Sequence, residues 1–329
     1  MEPESTGLLE RPPTAKRVLF VLYSQTGQLA QIAERVAAPL RATPGISIHV
    51  ETLVPRREHP YPWPFFRFLD AFPECTYLVG EDLEPPGEAL DGEFDLIVLC
   101  YQVWFLAPSM PATAFLRTPQ AARLLAGKPV VTVIACRNMW MLAHRRMQQM
   151  LATLGARHLD NVVLTDEAPT LVTLLTTPLW LLTGRKQPIS WLPPAGVASV
   201  EIERSTRFGH ALRDALLAGH ERGTAPLLAG LQAVHARPRL LVSEHAGTRS
   251  FQLWGRLIRR AGPPGALARV PLLALYAAFL IVAIVTIVPI SLLLQTLLRP
   301  FLGNWLAAQK SAFEAPSGSG TERLALYDQ

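Results

Sequence analysis

The sequence predicts an α/β fold: a doubly wound, five-stranded parallel sheet of order 2-1-3-4-5, followed by a C-terminal hydrophobic membrane helix. Three observations carry the prediction. Short apolar runs alternate with helix-period segments through the first 220 residues or so. Those runs are apolar on both faces, as strands covered by helices on each side must be. Further on, no charged residue occurs from Val270 to Leu298, a stretch longer than the roughly 20 residues that span a bilayer.

Taken in order, residues 1–15 read as a disordered leader. The Arg17–Tyr23 run is strand one, and residues 28–41 form the first helix. Ile46–Val50 alternates as strand two, and Phe94–Cys100 is a continuous apolar strand three. Ala112–Leu125 is helical, with Pro111 in its first turn. Pro129–Cys136 is strand four, Met141–Leu154 a helix stopped by Gly155, and His158–Leu164 strand five. Val197–Leu217 reads as an amphipathic helix that closes a domain over 16–220, with a hydrophobic insertion at 165–198.

A parallel sheet of this order binds its ligand at the carboxyl ends of its strands, so the loops there are the candidate site. Strand one runs into Ser24-Gln25-Thr26-Gly27-Gln28. Hydroxyls and a glycine stand where free N–H groups and a helix dipole favour an anion. No lysine follows as in a P-loop, and no GxGxxG is present. The same residues also suit an ordinary capped helix. The loop after strand three, Tyr101-Gln102-Val103-Trp104-Phe105, is aromatic enough to desolvate a planar ring or to pack on the next helix. Arg137 and Asn138 follow strand four and would line the other side, or form a plain turn.

Leu53–Cys75, after strand two, alternates prolines with aromatics (Pro60-Tyr61-Pro62-Trp63-Pro64). Such a segment is neither a central strand nor an uninterrupted helix. It supplies His59 and Asp70 as titratable candidates beside the pocket. Ala168–Gly184 carries no charge and reads as an interfacial segment or a lid over an apolar substrate, against the plainer alternative of a buried core helix.

The chain has 329 residues, is 50% hydrophobic and carries a formal charge of +5. Its basic residues form no stripe interleaved with aromatics, so nucleic acid is not an expected partner. Cys75, Cys100 and Cys136 are widely spaced, with no metal-ligand pattern, which suits a reducing compartment. Residues 221–269 read as a basic amphipathic linker, in which Phe251–Arg260 separates apolar from basic residues as an interfacial helix does. Arg256, Arg259, Arg260 and Arg269 precede the apolar run, and only Arg299 and Lys310 follow it closely. The positive-inside rule then puts the 16–220 domain on the cytoplasmic side of the inner membrane. Pro289 leaves open a hairpin that enters and leaves the same leaflet. Residues 299–329 read as a polar, disordered tail.

The YSQTGQ segment, with YQVWFLAPSMPATAFL after strand three, resembles flavodoxins and flavodoxin-like quinone reductases over roughly 16–220. The resemblance implies a flavodoxin-like fold and FMN, held by Ser24, Gln25, Thr26, Gly27 and Gln28 and flanked by Gln102, Val103, Trp104, Phe105, Arg137 and Asn138. Gln28 stands where that family often has a third hydroxyl. YSQTGQL, PYPWPFFRFLDAFPE and the membrane-prone tail together resemble the bacterial dialkylresorcinol condensing enzyme family.

That second resemblance implies FMN-dependent aromatisation of a lipophilic 2,5-dialkylcyclohexane-1,3-dione to a resorcinol, with a ketosynthase partner and a membrane location. The chemistry needs a base and an enolate partner. His59, Asp70 and His144 are the candidates for the first, and Tyr101 or Arg137 for the second. A membrane-associated NAD(P)H:quinone reductase and a non-catalytic adaptor for a ketosynthase are the alternative readings.

Overall fold

A computed structural model describes residues 15–87, 90 and 92–327, without the side chains of 287–289 and 291–302. The predicted leader lies outside the described residues except for its last position. Strands β1 (Lys16–Leu22), β2 (Ile46–Thr52), β3 (Leu96–Trp104), β5 (Pro129–Cys136) and β6 (Arg157–Thr165) are parallel neighbours in the order β2-β1-β3-β5-β6. The sheet has one strand more than expected. The two-residue β4 (Ala107–Pro108) turns back antiparallel on the end of β3. The sheet's architecture is flavodoxin-like, with an added hairpin at the ligand edge.

That hairpin corrects the reading of residues 101–104 as loop. Tyr101 and Gln102 continue the ladder with Ile134 and Ala135, and Trp104 pairs with Ala107 across the turn. The turn residues Phe105 and Leu106 have φ of 47° and 60°. Such values suit a two-residue hairpin turn, although neither residue is glycine.

The helices α1 (Gln28–Arg41), α3 (Met110–Leu116), α4 (Pro119–Leu125) and α5 (Met141–Thr153) follow the sheet order. The single helix expected over 112–125 is two, because the Thr118 side chain accepts the Ala121 N–H and starts a new N-terminus. The helix expected over 197–217 divides likewise into α7 (Ser199–Arg204) and α8 (Thr206–Leu217). Helix α2 (Phe65–Thr76) runs through Pro73 despite the expectation of an interrupted segment. Its other prolines lie before Phe65, where a proline at the N-cap removes no helical bond. Helix α6 (Thr170–Thr183) occupies the hydrophobic insertion.

The C-terminal third departs furthest from expectation. Residues 221–269 are not a free linker. Leu227, Leu228, Leu231 and Val234 are buried in the main core, and α9 (Leu240–Arg260) packs on α2 and α5. Helix α10 runs from Val270 to Glu314, well past the expected end of the apolar segment. The tail beyond it is ordered against the domain. Ser317 Oγ donates to Asp160 (2.7 Å) and accepts the Asn161 N–H (2.8 Å), while Gln232 and Val234 donate to Gly320 and Gly318. The buried Asp160 carboxylate also accepts the Leu227 and Leu228 N–H groups, so one buried acid anchors both segments. A short helix, α11 (Leu324–Tyr327), ends the described chain.

Candidate active site

The β1–α1 loop is shaped by its own side chains. Ser24 Oγ accepts the Ala30 N–H at 3.2 Å and caps α1 from outside. Gly27 sits in the left-handed region at φ 79°, where a Cβ would meet nothing within 4 Å, so space lies open over the turn. By helix geometry, the N–H groups opening α1 have no partner inside the helix. Gln25 turns away from that space. Its side chain accepts from the Tyr23 hydroxyl (2.5 Å) and donates to the His59 and Pro60 carbonyls, while its N–H donates to Gln102 Oε1.

Gln28 has a different task from a phosphate hydroxyl. Its carboxamide donates to the Val197 carbonyl and accepts the Val197 N–H, both at 2.9 Å. This pair pins the 196–197 turn against α1. Gly196, at φ 87°, lies so close to Gln28 and Trp180 that a Cβ would come within 2.8 Å of both side chains.

Beside this loop lies a cavity of about 490 Å³ at the carboxyl ends of β1, β3 and β5. Of the predicted binding residues, it brings together Gln25, Thr26, Gln28, Gln102, Val103, Trp104, Phe105 and Arg137. Ser24, Gly27 and Asn138 stand behind its wall. Asn138 is buried and donates to the Thr170 and Thr173 hydroxyls, which ties the start of α6 to the loop after β5.

Among the described residues, the cavity wall holds no carboxylate and no histidine, and its one cation is Arg137. The guanidinium donates to Thr173 Oγ1 (3.4 Å) and Met139 Sδ (3.0 Å). Among the described residues, no carboxylate lies within ion-pair distance. Burial pulls its pKa below the usual arginine value, against the attraction of the more distant Asp166 and Glu244. The side chain is half-buried, and a partly desolvated guanidinium without an ion pair favours an anionic ligand.

The four catalytic candidates do not converge. Tyr101 and His144 are fully buried in the sheet core, with the Tyr101 hydroxyl 3.4 Å from His144 Nδ1. Along β3, Tyr101 faces away from the cavity that Gln102 lines, as strand alternation requires. Burial, with His158 nearby, pushes the His144 pKa down to about 3 and keeps the ring neutral. Asp70 forms an ion pair with Arg269 at 2.9 Å.

His59 lies in a second, charged cavity of about 710 Å³. Its Nε2 is 2.8 Å from the Glu81 carboxylate, and its ring packs against Trp63 and edge-on to Trp104. Asp70 lines the same cavity. A wall of His59, Trp63 and Trp104 separates it from the apolar one.

Reasoning from sequence missed the far wall of the apolar cavity, which α6, α9 and α10 supply through residues such as Thr173, Trp180, Gly247, Ser250 and Tyr276. For α6 the signal existed: a charge-free segment after the last strand. For α9 and α10 it did not, because nothing local says that a membrane-prone helix folds back on the sheet edge. Among the described residues, no group of three or more His, Cys, Asp or Glu is placed to hold a metal ion.

No family model matches the chain, and no curated protein matches it. Solved structures similar in part include a flavoprotein in complex with FMN from Lactobacillus acidophilus, at 13% identity and TM-score 0.37, covering 45% of this chain and 93% of that one. An archaeal flavodoxin is 10% identical with TM-score 0.33 and covers 61% and 98%. Oxidised flavodoxin 1 from Bacillus cereus is 17% identical with TM-score 0.32 and covers 62% and 99%. The fold reading rests on the strand order itself.

Proposed function

We propose that this chain binds FMN at the carboxyl edge of its sheet and oxidises a lipophilic cyclic dione, a 2,5-dialkylcyclohexane-1,3-dione, to the aromatic resorcinol. The observation that carries this is the two-sided character of one cavity. One end meets Thr26 and the backbone turn that opens α1, next to Gly27, where a Cβ would meet nothing within 4 Å. The other is walled by apolar helices, and a single arginine without an ion pair lines the cavity. The similarity of the first loops to flavodoxins supports the cofactor, and the wider resemblance supports the substrate.

The residues fit the group. Thr26 and the opening N–H groups of α1 would hold the phosphate, and Trp104 and Val103 would flank the ring. When bound, FMN supplies the acceptor for the two hydrogens that separate dione from resorcinol. The chain's own contribution is binding and electrostatics. A cyclic 1,3-dione is acidic enough to arrive as its enolate. The described cavity wall holds no His, Asp or Glu, so the ring C–H proton that leaves after hydride loss would pass to water while the keto oxygen takes one up. The Arg137 guanidinium would pair with that enolate through charge-assisted hydrogen bonds. The walls of α6 and α9 would take the alkyl chains and exclude water.

The Gln28–Val197 clamp favours a second reading, in which the turn is a structural joint and the domain a non-catalytic adaptor for a ketosynthase. The visible spectrum of detergent-purified wild type beside Thr26→Ala decides between them. A yellow protein whose colour weakens about tenfold or more in the variant at limiting FMN is expected, the scale of losing one hydrogen bond to a charged group. Bleaching by the dione then supports the aromatase. Bleaching by NADPH alone points to a quinone reductase, and a protein colourless even with added FMN to the adaptor.

A further inference from the structure

The apolar helix α10 stands on the domain with both feet. Near its start, Leu273 and Tyr276 are buried, and the Tyr276 ring lies 4.6 Å from Phe72 and 5.3 Å from Trp254. At its end, Phe313 is buried in the main core, with Arg145 stacked 4.7 Å above its ring, and Glu314 accepts the Ala236 N–H.

The two feet are close. Phe72 is one turn from Thr76 on α2, and the Thr76 carbonyl accepts from Arg146, the neighbour of Arg145 on α5. With every side chain on that route fully extended, Tyr276 and Phe313 lie at most about 50 Å apart, and packed side chains make the route far shorter. A straight helix between them would run about 55 Å. Although α10 is one unbroken helix, the shorter path between its feet calls for a bend along it. The sequence offers Pro289, Pro300 and Gly303 in that interval.

We propose that α10 is a hairpin that dips into one leaflet of a phospholipid bilayer, and that the apolar cavity is loaded with its lipophilic ligand directly from that leaflet. A single crossing would put residues 315–327 on the far side of the membrane, out of reach of Asp160 and Val234, which they contact. The outward faces of the first arm are apolar: Ile281, Val282 and Val285 are all 60% exposed or more. Leu253, Leu257 and Leu267 extend that surface beside the exposed Arg256, Arg259 and Arg260, an arrangement suited to anionic headgroups.

The same arm opens inward. Phe279, Leu280, Ala283 and Ile284 line the cavity that reaches Thr26 and Arg137. A ligand dissolved among acyl chains therefore meets a continuous apolar path, while the enolate end reaches the one cation. The topology stands on its own, and the loading route rests on the proposed oxidoreductase reading.

The test uses full-length protein added to sealed vesicles of phosphatidylcholine and phosphatidylglycerol. A double variant, Ala218→Cys with Thr321→Cys, places exposed thiols on the domain and on the tail. A membrane-impermeant maleimide should label both on the same floated molecules, as mass spectrometry reads directly. Molecules carrying one label only, with the second appearing after detergent, mean a crossing helix and overturn the hairpin. Failure to float, with self-association of the free protein, means the surface belongs to a second copy.

For the route, a pyrene-labelled long-chain alcohol dissolved in the vesicles reports by energy transfer from tryptophan. Ala283→Phe should cut saturable transfer at least fivefold, and the outward Val282→Phe should leave it unchanged. Equal effects of the two overturn the route. Because flavin content is read separately by absorbance, a colourless protein would sink the redox reading without touching this result.

Discussion

The two cavities flanking the His59–Trp63–Trp104 wall solve the problem of buried charge in opposite ways. In the charged cavity, the most buried cation is met by carboxylates. Arg269, 1% exposed, forms ion pairs with Glu74 at 2.6 Å and Asp70 at 2.9 Å, and His59 meets Glu81. In the apolar cavity, Arg137 meets only a hydroxyl and a thioether. Completed pairs hold elements in place, here the start of α10 against α2. An incomplete pair leaves electrostatic work for a ligand. Titratable groups therefore concentrate in one cavity, while the other carries a single arginine without an ion pair.

The comparison breaks most visibly at Arg269. Arg269→Met removes the cation and leaves two largely buried carboxylates, Asp70 and Glu74, without it. Chemical denaturation of the variant in detergent should show a loss of about 3–5 kcal/mol. A loss below about 1 kcal/mol would mean that the cluster is solvated and that the charged cavity is free to bind an anion. Flavin content per folded molecule should not change.

Glu244 on α9 sharpens the contrast from the apolar side. Its carboxylate accepts the Met141 and Leu142 N–H groups and so caps α5 from a neighbouring helix, yet burial pushes its pKa up to about 7. A carboxyl whose folded pKa is raised stabilises fully below its unfolded value of 4.5, and that stability is lost as pH rises towards 7. The full difference is on the order of 3 kcal/mol. Asp160, raised to about 6, acts in the same direction, and His144, lowered to about 3, acts oppositely below its ordinary value. Wild type minus Glu244→Gln isolates the Glu244 contribution. That difference should slope downward from pH 5 to 7 and flatten beyond. An upward slope would show that helix capping, not burial, sets the ionisation.

What was legible in the sequence follows how local each signal is. Strand and helix alternation and the β1–α1 turn are written in neighbouring residues. They put Thr26, Gln102, Trp104 and Arg137 on one edge of the sheet. The β3–β4 hairpin was not legible, because Phe105 and Leu106 are poor turn residues by composition and adopt positive φ under tertiary packing. Tyr101 failed for a parity reason, since a strand extended through Trp104 turns it into the core, and His144 failed because it lies on the buried face of α5. The ordered tail was hidden for a similar reason. Ser317 and Gly318 read as solvent-loving until a buried Asp160, far away in sequence, needs a hydroxyl. Contacts between segments so distant are set by topology, which local periodicity does not encode.

The finest prediction concerns the unpaired arginine. If Arg137 awaits an anionic ligand, Arg137→Met should bind a cyclic 1,3-dione between 10- and 150-fold more weakly, the range for one charged hydrogen-bonding partner at about 1.5–3 kcal/mol. The protein itself should change little in stability, since a half-buried charge without an ion pair has been replaced by a side chain of similar length. Arg137→Lys separates charge from shape. A lysine keeps the charge but not the planar fork, so it should recover part of the affinity and not all. If Arg137→Met instead destabilises the fold by several kcal/mol and leaves dione binding intact, the guanidinium is a structural donor to Thr173 and Met139. The distinction between the two cavities would then collapse, because both would be built from charges that serve only the fold.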